Sequence, residues 1–270
     1  MSRLDDYRTA LLAAHPDVAG ERLVAALDER PTEFSRFVVD MGLGPLWHQR
    51  TGRAEFHKSR LQAEALYLAQ EISLDEIGAA LDAASIENVA IKGAATRLLL
   101  YDNPAMRASF DIDVLVHPAD RVKAAKTISR LGFRPLPEAR SISRELVLTR
   151  NGTDVDLHWG LLREGRLYMD PTHDILTRRR RLDRTWIPGA NDMLFIQLVH
   201  PAFARHLGGW EMGLHRVADL LTFLRTQDFD LPSVVSLVRE NGVSAAAWAT
   251  LRWTQLLSEP HVPPKLPELL

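Results

Sequence analysis

Asp111 and Asp113 stand one residue apart in the run Phe110-Asp-Ile-Asp-Val-Leu-Val116. In an extended strand residues i and i+2 share a face, so both carboxylates project together, about 7 Å apart along the chain. Acids this close repel each other unless a cation lies between them. Hard oxygen ligands with places left for phosphate oxygens suit Mg²⁺, or Mn²⁺ in its stead. Paired ions of this kind stabilise the attacking and leaving oxygens of an in-line displacement at phosphorus. Such a site calls for a third carboxylate from a neighbouring strand. Asp156, in Thr153-Asp-Val-Asp-Leu-His158, is the first candidate, and Asp154 on the same face is the alternative. A phosphate cradle belongs at a strand-to-helix turn, where free backbone N–H groups meet the helix dipole. Ile91-Lys92-Gly93-Ala94-Ala95-Thr96 has that form. Gly93 lets the backbone approach phosphates, and Lys92 supplies positive charge. Arg107 and Ser109, just before the acids, are within reach of phosphate oxygens.

Each of these residues also has a plainer reading. Asp111 and Asp113 are, alternatively, solvated acids on an exposed strand face, and Lys92 an exposed lysine after a strand. Arg107 either contacts phosphate or pairs with Asp111 or Asp113, holding them ionised. His158 shares the face of Asp156 and either orients a ligand or is a partly buried polar residue. His200, Arg216 and Asp219 lie further on. Arg216 and Asp219 are three apart, the spacing of an ordinary surface pair on a helix. The run Arg178 to Arg181, with Arg184, is a solvated charge run or a polyanion-binding patch. The tryptophans, among them Trp47, Trp159 and Trp210, read as core rather than as platforms for bases.

The elements that must carry these residues follow from periodicity. Residues 1 to about 85 read as helical, and Phe56, Leu61, Ala65, Leu66, Leu68 and Ile72 recur at helical spacing. Ser73-Leu-Asp-Glu76 has a capping-box pattern, which either restarts a helix or lies inside one long helix. Asn88 to Ile91 and Phe110 to Val116 read as strands on either side of a helix. Pro118 to Leu131 reads as an amphipathic helix with Val122, Ala125, Ile128 and Leu131 inward. Leu146 to Leu148 and Val155 to Trp159 read as strands joined by the Asn151-Gly152 turn, a hairpin signal. Helices return over Asp192–His206, Leu214–Thr226, Leu231–Asn241 and Val243–Leu257. The proline-rich end, Pro260 to Leu270, reads as a loosely ordered tail. The expectation is an α/β (α+β) protein: residues 1–86 helical, 87–187 a small mixed-sheet core, and 188–270 helical.

Bulk composition narrows the function. The 270 residues are 46% hydrophobic and 25% charged, as in a soluble globular protein. A formal net charge of −2 argues against a bulk electrostatic hold on nucleic acid. No cysteine is present, which excludes disulfides and thiolate zinc sites. No apolar run approaches the roughly 18 residues a membrane span needs. The acidic N-terminus lacks a signal-peptide core, so the expected home is the cytoplasm.

In its order of parts (strand, Lys-Gly turn, helix, Arg-x-Ser-x-Asp-x-Asp strand, helix, later strand acid) the chain resembles the DNA polymerase β-like nucleotidyltransferase superfamily. Within it, the chain is most similar to the uncharacterised nucleotidyltransferase family with a Lys-Gly turn, an Arg-x-x-x-Asp-x-Asp strand and an Asp-Leu-His-Trp strand. It also resembles the abortive-infection toxin nucleotidyltransferases. The close match covers roughly residues 88 to 160, and a weaker one covers Asp192 to Leu224, with His200, Arg216 and Asp219. The resemblance implies transfer of a nucleoside monophosphate from an NTP to a hydroxyl. Lys92 and Gly93 match the phosphate turn, Asp111 and Asp113 the first metal-ligand pair, and Asp156 the third acid, which also helps deprotonate the acceptor. Ala94 and Ala95 replace the hydroxyl residues common at this turn, leaving Thr96 as the next hydroxyl. The acceptor implied is a small molecule, an RNA end or a protein side chain. The rival readings are a nucleotide-binding module without turnover and a toxin-like enzyme acting on RNA. Nothing in the sequence sets the oligomeric state.

Overall fold

The computed structural model describes residues 3–30, 32–136, 144–203 and 213–258. The tail from Pro260, and with it Trp210 and His206, lies outside the described residues. The N-terminal part is helical: α1 (Arg3–Leu11), α2 (Gly20–Asp28), α3 (Thr32–Asp40), α4 (Gly44–Thr51) and the 27-residue α5 (His57–Ala83). Ser73 does not restart α5. Its hydroxyl donates to the carbonyl of Ala69 one turn back, so the helix continues through it. Trp47 is fully buried, with its indole N–H on the Ala10 carbonyl at 2.8 Å, a core residue as expected.

The α/β part follows as β1 (Asn88–Ala90), α6 (Lys92–Leu100), β2 (Asp111–Val116), α7 (Arg121–Arg130), β3 (Arg134–Pro135), β4 (Glu145–Arg150) and β5 (Thr153–His158). These strands form one mixed sheet in the order β1-β2-β5-β4-β3. Only β2 and β5 run parallel, and their register sets Asp111 opposite Asp154 and Asp113 opposite Asp156. The β4–β5 hairpin turns on Asn151 and Gly152, both at positive φ (51° and 82°). That is what a tight two-residue connection demands. Along β2 and β5 the residues Ile112, Val114, Val155 and Leu157 are buried on one face, which frees the other face for the polar set.

The inward face of α7 is the expected one except at Val122: Ile128 is buried, and Ala125 and Leu131 pack half-buried against the core. Ala124, Thr127 and Ile128 are buried, while Val122 is 55% exposed. Four residues at strict i+3 spacing drift by about 60° per step, because each residue turns about 100°. Val122 and Leu131 therefore lie on opposite sides of the helix. A further hairpin that periodicity did not reveal, β6 (Arg180–Leu182) and β7 (Thr185–Ile187), follows the short α8 (Thr172–Thr177). The chain then returns to helix in α9 (Ala190–Phe203), α10 (His215–Thr226), α11 (Leu231–Glu240) and α12 (Ser244–Ser258). One apolar cluster runs from Ala10 through the sheet to Leu257. No described helix is long and apolar enough to cross a membrane.

Candidate functional site

Parallel register brings the acids together. Among the described residues Asp113, Asp156 and His158 form a group whose ligand atoms all lie within 4.8 Å of one another. Asp111 lines a cleft of about 300 Å³ with Asp113, but its carboxylate falls outside that group. The two carboxylates fit a divalent cation, Mg²⁺ or Mn²⁺, and His158 could join them as a ligand only on giving up its Nε2 proton. Lys92 Nζ donates to Asp113 Oδ1 at 2.6 Å, and His158 Nε2 meets the same oxygen at 2.7 Å. Since an ionised carboxylate only accepts, Nε2 carries the proton. The 3.2 Å approach of Lys92 to His158 is then a contact rather than a second bond. Lys92 reaches the acid from a left-handed backbone at φ 51°, a conformation that costs a lysine about 1–2 kcal/mol.

These contacts set the acids apart electrostatically. Burial works to raise the Asp113 carboxyl, but Lys92 and His158 overcome it and hold it well below the usual carboxylate range. Asp156 lacks such partners. Burial, then the charges of Asp113 and Asp111, push it up to about 7. Asp111 is also raised, by burial and then by Asp113. His200, another cleft residue, is kept neutral by burial and then by Lys92.

A folded acid titrating near 7, against 3.8 unfolded, binds more protons when folded, so its contribution to stability falls as pH rises from about 4 to 7. His200 slopes the opposite way below pH 6.5, because the unfolded chain takes up its proton first. Comparing Asp156→Asn with the parent cancels the His200 share. Without added divalent cation, the variant should gain in melting temperature on the parent across pH 4 to 7. A constant difference over that range would contradict the raised Asp156.

The remaining expected residues divide into cleft wall and support. Gly93, Thr96, Arg107, Ser109, Arg216 and Asp219 line the cleft. Ala94 does not. Its side chain and that of Ala95 are buried in the apolar core, so the turn can offer a ligand only their backbone N–H groups. The first turn of α6 has no side-chain cap. A hydroxyl is nevertheless present. A β-carbon on Gly93 would collide with Ser109 Oγ and sit 2.6 Å from Arg107 Nη1. Gly93→Ala should therefore force the turn from the Arg107–Ser109 segment, costing about 1–3 kcal/mol and weakening nucleotide binding at least ~10-fold. A calorimetric melt and a nucleotide titration check both, and an unchanged variant would refute the close packing.

Arg107 does not pair with Asp111 or Asp113. Its Nε and Nη2 hold Asp219 Oδ2 at 3.0 and 2.8 Å, both side chains buried, and Tyr101 donates to Asp219 Oδ1 at 2.8 Å. Asp219 is thus no partner of Arg216 on a surface. It ties α10 to the segment between α6 and β2. Gln70, which sequence reasoning passed over, supports the same segment from α5, donating to the Ser109 carbonyl at 2.9 Å and accepting from Arg97. Its signal was a polar residue in phase with the buried Ala63, Leu74, Ile77 and Leu81. Four arginines of the run and its flank form ion pairs, Arg178 with Asp192, Arg179 with Glu87, Arg181 with Asp82 and Arg184 with Asp75, while Arg180 is exposed and the run as a whole faces solvent.

A sequence profile described as uncharacterised nucleotidyltransferase matches residues 46–259. No curated protein is significantly similar. Several solved structures resemble the chain, among them the following two. The antibiotic-resistance factor ANT(2'')-Ia is 12% identical, with a TM-score of 0.46 over 68% of this chain and 96% of its own. An antigenic nucleotidyltransferase-like protein from Paracoccidioides brasiliensis is 18% identical, with a TM-score of 0.41 over 65% and 90%.

Proposed function

This chain belongs to the uncharacterised nucleotidyltransferase family, and from that premise we propose that it transfers a nucleoside monophosphate from an NTP to a hydroxyl. The observation that carries the reading is the convergence of Asp113, Asp156 and His158 beside the Lys92-Gly93 turn. Asp113, Asp156 and Asp111 would hold divalent cations, whose role when bound is to neutralise charge on the triphosphate and at the reacting phosphorus. The acceptor oxygen forms a bond to the α-phosphorus, the bond from that phosphorus to the bridging oxygen breaks, and pyrophosphate leaves. Asp156, whose affinity for a proton is raised by burial and by Asp113 in the cation-free protein, is the group for the hydroxyl hydrogen. Lys92, exchanged from Asp113 by a cation, would pair with the β- and γ-phosphates. The free N–H groups at the start of α6 and the Ser109 hydroxyl face the same phosphates.

The acceptor follows from charge. A net charge of −2, with Arg179 and Arg181 paired to acids, argues against a bulk electrostatic hold on RNA. A small molecule or a protein side chain is the favoured acceptor. The test is incubation with each of four α-labelled NTPs and cell extract, in Mg²⁺ or Mn²⁺. A labelled product should form and should vanish in Asp111→Asn and Asp113→Asn. Label that survives both changes defeats the assignment. Binding of NTP without any labelled product would favour a module that has no turnover.

A further inference from the structure

We infer that α5 is a dimerisation helix. Its outer face pairs antiparallel with α5 of a second copy of this chain, about a twofold axis between Leu66 and Tyr67. The inference goes beyond the reaction and does not rest on it.

The inner face of α5 runs through Ala63, Gln70, Leu74, Ile77 and Leu81, all buried. A helix that rests on a core this way should be polar on its other side. It is not. Leu61, Leu68 and Ile72 are 47%, 56% and 60% exposed, and Ala65 is exposed with them. Among the described residues no other helix exposes three large apolar side chains. At about 100° per residue the four lie in one stripe about 60° wide, on the side directly away from Ala63, Gln70 and Ile77. Their spacing alternates four, three and four, the spacing that keeps a seam facing a partner helix. An apolar seam held out to water marks a contact surface.

The order of residues along the seam identifies the partner. Turned end for end about its midpoint, the seam maps onto itself. Leu61 comes opposite Ile72 of the second copy, and the small Ala65 opposite the large Leu68. The next positions at the same spacing are Lys58 and Asp75, and the same rotation sets them opposite each other with opposite charge. Lys58 is exposed and forms no ion pair among the described residues. Asp75 holds Arg184 at 3.2 Å and still has 32% of its side chain exposed. Glu64 and Glu71, which flank the seam, are engaged on their own helix by Arg60 and by the Tyr67 hydroxyl. Parallel pairing would set Lys58 on Lys58 and Asp75 on Asp75, so charge selects the antiparallel arrangement. A twofold contact must be its own complement, and this seam is. From Lys58 to Asp75 it covers about 25 Å of helix. That is short for a helix pair, and the expected dissociation constant is on the order of 10 μM.

The test is sedimentation equilibrium of the full chain at concentrations up to about 200 μM. The parent should approach twice the chain mass of 30.4 kDa. Leu68→Glu should stay monomeric with the circular dichroism of the parent, and Lys58→Glu should weaken the dimer about 10-fold. The chain has no cysteine, so introduced thiols report the register and serve should the glutamate variant misfold. Leu61→Cys with Ile72→Cys should form an interchain disulfide on mild oxidation, and neither single variant should. Within one helix the two positions are about 16 Å apart, too far to bridge. A parent that is monomeric throughout overturns the proposal. So does a folded Leu68→Glu or Lys58→Glu protein that dimerises as the parent does, and so do single-cysteine variants that cross-link as readily as the double one.

Discussion

Asp113→Asn is expected to abolish transfer and to destabilise the fold, for two separable reasons. Among the described residues Asp113 is the one carboxylate that touches Lys92 and His158 and also belongs to the group that could hold a cation. Loss of a metal-binding carboxylate removes several kcal/mol of charge stabilisation at the reacting phosphorus. At about 1.4 kcal/mol per decade, that is a fall of at least ~10³-fold in kcat. The stability loss comes from Lys92. Its ammonium, with 19% of the side chain exposed, would face a neutral amide in place of a carboxylate. Removing one partner of a buried pair costs on the order of 3–5 kcal/mol, somewhat less here because Lys92 keeps part of its hydration and retains Asp111 and Asp156 nearby. The double variant Asp113→Asn with Lys92→Met separates the two effects. It should recover much of the melting temperature and none of the activity. A folded Asp113→Asn protein within tenfold of the parent's kcat would remove Asp113 from the centre of the chemistry.

The division between Asp113 and Asp156 shows how one sheet makes two kinds of acid. They sit opposite each other in register, yet Lys92 and His158 attend only the first. One is held ionised and the other is raised to about 7. Under the proposed reaction the two would take different roles, one holding charge and one taking a proton. The sequence carried the pairing, since Asp-x-Asp on one strand and Asp-x-His on another are legible from period-2 alternation. It did not carry the division, because the charge that decides it comes from Lys92, whose left-handed backbone turns it toward the sheet.

Local signals were the readable ones. The Asn151-Gly152 hairpin, the helix after the Lys-Gly turn and the Asp111–Val116 strand all rest on residues within a few positions of each other. What escaped rests on distance. The arginines of the β6–β7 hairpin do face solvent, but the hairpin itself was hidden because its contacts, Arg181 and Arg184 with acids of α5, span about a hundred positions. Arg107 and Asp219 lie 112 residues apart, and each had a nearer partner to suggest itself.

The Arg107–Asp219 pair carries the second large expected effect. Asp219→Leu leaves a buried guanidinium facing an apolar side chain and leaves the Tyr101 hydroxyl without its acceptor. The expected cost is about 3–5 kcal/mol, a melting temperature lower by on the order of 10 °C. Replacing both charges by apolar groups removes the unpaired cation, so Arg107→Met with Asp219→Leu should be more stable than Asp219→Leu alone. The double-mutant cycle measures the coupling directly. Activity should not follow stability. Arg107 Nη1 stands 2.6 Å from where a β-carbon of Gly93 would lie, so the pair sets the wall of the nucleotide cleft as well as the join between α10 and the β2 approach. The double variant should therefore fold and still bind NTP at least ~10-fold more weakly than the parent. If instead the double variant proves less stable than Asp219→Leu, the two charges do not act as a unit. If it binds NTP as the parent does, the pair is a fastening between helices and has no part in shaping the cleft.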